Sequence, residues 1–98
     1  MRVFIKIHVK NEIETVAACD EELLNQVFKE GNLRIEISNR FFGGTLVQLE
    51  DAVHILKQST CFNIIGENII NKAIDNQLLP KEGVRFISGV PMALKMMF

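Results

Sequence analysis

From Arg2 to Lys10 the chain alternates without a break. Val3, Ile5, Ile7 and Val9 fall on one side, and Arg2, Phe4, Lys6, His8 and Lys10 on the other. A period of two is the signature of a half-buried strand, because successive side chains leave a strand on opposite faces. Asn11-Glu12 reads as a turn and Ile13 to Ala18 as a second strand, so a hairpin is predicted, although the turn carries no Asn-Gly or Asp-Gly pair. The same alternation argues against a secretory leader: a polar side chain interrupts the apolar run at every second position, and no small-residue cleavage site follows.

Asp20 is read as the start of a helix to about Glu30. Its carboxylate is suited to the free amides of a first turn, with Glu21 and Glu22 at the positive end of the helix dipole. Leu23, Leu24, Val27 and Phe28 form the apolar face, and Gly31-Asn32 supplies the stop. Leu33 to Ser38 alternates as a third strand. Asn39 to Gly44 is a loop with aromatics, and Thr45 to Val47 a short extended piece. Leu49, Ala52, Val53 and Leu56 stand at helical spacing and predict a second helix to about Gln58. Ile69, Ile70, Ala73 and Ile74 predict a third over Glu67 to Gln77. Pro80 and Gly83 punctuate a connection, and Val84 to Ile87 and Ala93 to Met97 read as two last strands joined through Gly89-Val90-Pro91. The expected fold is a single α+β domain over residues 1–98: a mainly antiparallel, or mixed, sheet of five or six strands with three helices packed on it.

Composition sets the outer limits. Ninety-eight residues make one domain, and 48% hydrophobic content with two prolines and six glycines belongs to a folded chain. No apolar run reaches the roughly 18 residues of a spanning helix, so no membrane association is expected. Two cysteines, Cys19 and Cys61, stand far apart without a Cys-x-x-Cys spacing, which fits a reducing cytoplasm better than a secreted scaffold.

Four stretches together resemble an archaeal family named as domain of unknown function 424. They are Cys19 to Leu24 with Gly31 to Ser38, Phe42 to Gly44, Asn63 to Glu67, and Gly89 to Pro91. Their order and separations match along essentially the whole chain. The resemblance implies a cytosolic α+β protein with a loose association with RNA binding, and no established activity. Members often carry His after the Gly-Val-Pro turn. Here that position is Met92, so chemistry resting on that His is not carried over.

No constellation of catalytic residues stands out. Cys19 precedes a predicted helix start, but Asp20, Glu21 and Glu22 oppose any lowering of its thiol pKa, and Cys61 beside Phe62 reads as core. His8 and His54 are too few for a metal site, so none is expected. Phe42-Gly43-Gly44-Thr45 lacks the spacing and lysine of a phosphate loop and reads as a tight turn. The carboxylate clusters Asp20/Glu21/Glu22 and Glu50/Asp51 fall in first turns of predicted helices, where the dipole explains them. Neither catalysis nor a cofactor is expected.

A binding surface is the favoured reading. The formal charge of −1 conceals an uneven distribution: +3 over residues 1–10, −5 over residues 11–36 and +1 over the rest. Arg2, Lys6, His8 and Lys10 share a face with Phe4, as in sheets that hold single-stranded RNA with cations on phosphates and an aromatic under a base. Arg40 and Phe41 extend that surface. Phe42, Gly43, Gly44, Gly89 and Pro91 are further loop candidates. Three or four phosphate contacts imply weak, salt-sensitive binding. The expected role is an accessory RNA-binding protein linked to translation or RNA processing. The alternative is a protein-interaction subunit or homodimer, using the acidic helix-one rim, the Phe-Phe loop and the Met92, Met96, Met97 and Phe98 end. The plain reading of the basic face is a solvated strand whose bases pair with Glu14 or Glu36.

Overall fold

The computed structural model describes residues 1–96. Strands β1 (Arg2–Lys10) and β2 (Ile13–Asp20) form the predicted hairpin, in register from Val3↔Asp20 to Lys10↔Ile13. The turn works without glycine because Asn11 and Glu12 both adopt positive φ, 52° and 68°, the turn geometry that matches strand twist. After a 3-10 turn at Glu21–Leu23 come β3 (Val27–Glu30), β4 (Leu33–Glu36) and α1 (Asn39–Phe42). Then follow β5 (Thr45–Gln48), α2 (Leu49–Lys57), β6 (Phe62–Ile65), α3 (Glu67–Asp75), β7 (Arg85–Ile87) and β8 (Val90–Lys95). Six strands make one sheet in the order β5-β1-β2-β6-β8-β7, antiparallel except for β2 with β6. Strands β3 and β4 pair apart from it.

The sheet is covered on both sides. On one, here the helical face, Val3, Ile5, Val16, Ala18, Phe62 and Ile64 pack against Leu49, Val53 and Leu56 of α2 and Ile69, Ile70 and Ala73 of α3. On the other, Ala17, Cys19 and Ile65 pack with Ile37 and Phe42, and Phe4, Leu23, Leu24, Phe28 and Ile35 close over them. The β3–β4 hairpin and α1 therefore form a third, partial layer.

That layer is where the fold departs from expectation. Asp20 ends β2 instead of opening a helix, and residues 20–30 hold a 3-10 turn and β3. Gly31-Asn32 is the turn of a hairpin with Gly31 at φ 61°, and not a helix stop. Leu23, Leu24 and Phe28 reach the second core from separate pieces of this stretch, while Val27, which the helical reading placed on the apolar face, is exposed. Strand β4 stops at Glu36 and leaves Leu33 exposed. Residues 39–42 form a helical turn, β6 is a strand the sequence did not reveal, and α3 ends at Asp75. The last turn falls on Ser88-Gly89, φ 51° and 80°, so that Pro91 lies within β8. Met97 and Phe98, which the sequence assigned to a last strand and an interaction end, lie outside the described residues.

Candidate nucleic-acid interface

Register sorts the charges of the six-stranded sheet by face. Its strands contain two acids, Glu14 and Asp20, and both project to the helical face with Val9 and Val3. Arg2, Lys6 and Lys10 project to the opposite face, as does Arg85, which is paired with Met92. The basic face of β1 is thus real, but its members have different partners.

Arg2 is neutralised. Its Nη2 lies 2.8 Å from Glu21 Oε2 and its Nε 3.1 Å from Oε1, a two-pronged pair. Neither Glu14 nor Glu36 is the partner. Phe4 is half-buried in the second core. Lys6 Nζ donates to the Arg40 carbonyl at 2.6 Å, a neutral acceptor that leaves the ammonium charge uncompensated. His8 Nε2 lies 2.8 Å from the Phe41 carbonyl oxygen. A carbonyl only accepts, so Nε2 carries the proton. The His8 and Phe41 rings stack at 4.5 Å and 17°, and Phe41 meets Phe42 edge-on at 4.9 Å. Helix α1 is therefore clamped to β1 by two side chains of the basic face, and its start is capped by Ser38 Oγ, which accepts from the Phe41 amide.

Beyond this clamp the sheet surface is open. A groove of about 520 Å³ runs across it, lined by His8, Lys10, Ile13, Thr15, Phe41, Asn63 and Leu94 among others. No acid among the described residues lines it. Among those residues the Arg2–Glu21 pair is also the only ion pair, so Lys6, Lys10 and the exposed Arg40 keep their charges. Asn63 and Thr15 have no side-chain hydrogen bonds to described residues and offer donors and acceptors to the groove. Sequence reading missed Thr15, Asn63 and Leu94. The signal for Asn63 was a polar residue inside the apolar run Cys61 to Ile65.

The loop candidates have structural explanations. Phe42 is buried in the second core. A Cβ on Gly43 would overlap Asn39, and one on Gly44 would fall on the Ile5 carbonyl oxygen, so the glycine pair lets α1 close onto β1. Gly89 takes the positive φ of its turn, and the Pro91 carbonyl accepts from the Gly66 amide at 2.9 Å. Three of the stretches that carry the family resemblance meet here, around a small cleft of about 260 Å³ lined by Asp20, Glu67, Asn68 and Pro91 among others.

Among the described residues no three His, Cys, Asp or Glu side chains gather as metal ligands. His54 is exposed on α2, and both cysteines are buried. Burial, and next the charge of Asp20, push the Cys19 thiol up to about 12. Native protein at pH 8 is therefore expected to leave Cys19 unmodified by a thiol reagent until denaturant is added. Rapid stoichiometric labelling of Cys19 in the folded chain would contradict this.

The family described as "Protein of unknown function (DUF424)" matches residues 7–97. The chain belongs to this DUF424 family. Its fold is also that of a solved structure, the "Crystal structure of an uncharacterized conserved protein from Methanopyrus kandleri". The two share 22% identity and a TM-score of 0.85 over 100% of this chain and 96% of that one. No curated protein matches. No helix among the described residues of this DUF424 member is long and apolar enough to cross a membrane.

Proposed function

We propose that this protein is a non-catalytic binder of single-stranded RNA, working in the cytoplasm through the open end of the sheet face opposite the two long helices. One observation carries the reading. The groove there combines the stacked His8–Phe41 rings, the uncompensated cation of Lys10 and the unspent polar groups of Asn63 and Thr15, with no acid among the described residues of its lining, and Lys6 and Arg40 add uncompensated charge at the neighbouring clamp. Cations on phosphates and rings against bases are the two elements of sequence-tolerant single-strand binding. The interface moves along β1 relative to the sequence reading. Arg2 and Phe4 drop out because Glu21 and the second core occupy them, and Lys10, Phe41 and Asn63 become central.

Fluorescently labelled single-stranded RNA titrated at several salt concentrations tests it. Changing Lys6, Lys10 and Arg40 together to alanine is expected to flatten the slope of log affinity against log salt by about 2, at roughly 0.7 for each phosphate no longer neutralised. Changing Arg2 and Glu21 together to alanine removes no net charge and is expected to leave affinity within about twofold. No binding at low salt, or a triple variant that binds with the wild-type slope, would rule the reading out.

A further inference from the structure

The helical face carries a second groove of opposite character. Past the end of α2 the β1–β2 hairpin overhangs a space of about 560 Å³ whose apolar lining includes Ile7, Val16 and Ile55 and whose charged lining is Glu12 and Glu14. Ile7 is 49% exposed although its strand neighbours Val3 and Ile5 are buried. Neither carboxylate has an ion pair or hydrogen bond with a described residue. No Lys, Arg or His among the described residues lines the groove, and Lys10 projects to the other face. An exposed apolar patch beside uncompensated charge is a binding surface of defined polarity. It repels a polyanion, and a neutral apolar ligand would leave both carboxylates unused. The backbone adds a further condition. Strand β2 pairs with β6 only over Val16–Cys19, so its outer edge at residues 13–15 has no described strand beside it.

We propose that this groove docks an extended segment of a partner protein that presents apolar side chains and Lys or Arg in turn along one face, at every second position, with neutral polar residues between them. The apolar positions cover Ile7 and Ile55, the cations face Glu12 and Glu14, and the backbone adds to the edge of β2. The site is independent of the RNA surface and acts on the opposite side of the same hairpin.

The probe is a fluorescein-labelled octapeptide, Lys-Thr-Val-Thr repeated twice so that Lys and Val share one face, compared by anisotropy with its Glu/Val counterpart (Glu for Lys) and its Lys/Ser counterpart (Ser for Val). The Lys/Val peptide is expected to bind saturably, and the other two at least tenfold more weakly. Changing Glu12 and Glu14 to Gln, which threatens no buried contact, is expected to weaken binding about fivefold. Ile7→Ser, with its fold checked by circular dichroism, should do the same, and Lys10→Ala should change nothing. The proposal is overturned by absence of saturable binding, by equal binding of the Glu/Val peptide, or by affinity unmoved in the carboxylate variant. Displacement of the peptide by single-stranded RNA would also overturn it, since that places the peptide on the opposite face.

Discussion

Gly66→Ala is expected to destabilise the protein by about 3–5 kcal/mol and to lower the midpoint of thermal unfolding by about 15 °C or more. Gly66 sits between β6 and α3 with φ 125°, a conformation that side chains rarely adopt, and a Cβ there would stand 2.6 Å from Asp20 Oδ2. Neither partner can retreat. The Gly66 amide donates to Pro91 and its carbonyl accepts from Ile70, while Asp20 is held by the start of α3. The strain is therefore a backbone term and an overlap term acting together. Gly31 is the internal control: its φ is 61° with nothing within 4 Å of a built Cβ, so Gly31→Ala is expected to cost about 1 kcal/mol. Urea unfolding of both variants checks the ranking. A Gly66→Ala loss below that of Gly31→Ala would show that the close approach to Asp20 is not maintained in solution.

The same corner shows which parts of the fold were legible in the sequence. Strand β1 and helices α2 and α3 were, because in each the fully buried residues lie on one face and their period survives in the residue order. Strand β6 was not: Phe62 and Ile64 enter the helical core and Ile65 the second one, so a four-residue strand with buried side chains on both faces is too short and too apolar to show an alternation. Residues 20–30 misled for another reason. Leu23, Leu24, Val27 and Phe28 have helical spacing, and Asp20 has the chemistry of a helix cap. Asp20 does cap a helix, but it is α3, 48 positions away. A local rule recognised the right group and assigned it to the wrong partner. The candidate interface followed the same pattern. The basic side of β1 was visible, whereas the neutralisation of Arg2 by Glu21 depends on the chain turning at Asp20. Asn63 and Leu94 join the groove only through strands brought together by the sheet order.

Asp20→Ala is expected to cost about 3 kcal/mol, because it leaves the Asn68 and Ile69 amides without the oxygens that now accept from them at 2.8 and 3.0 Å. Asp20→Asn keeps the shape but can offer one acceptor, and it turns an NH2 towards the second amide. Its effect should depend on pH in a direction the site dictates. Burial raises the Asp20 pKa, the two amide hydrogen bonds oppose the rise, and the charges of Glu22 and Glu67 reinforce it. With the folded value above the unfolded one, the folded state holds the proton more tightly. Asp20 then contributes most below its ordinary pKa of 3.8, and that contribution is lost as pH rises through the folded value. The stability gap between wild type and Asp20→Asn should therefore be wider at pH 3.5 than at pH 7. A gap that narrows on acidification would mean that the helix amides outweigh burial and hold the carboxylate ionised. The double variant Gly66→Ala/Asp20→Ala separates the terms further. If the overlap is with this side chain, the double loss falls short of the two single losses added together by at least about 1 kcal/mol.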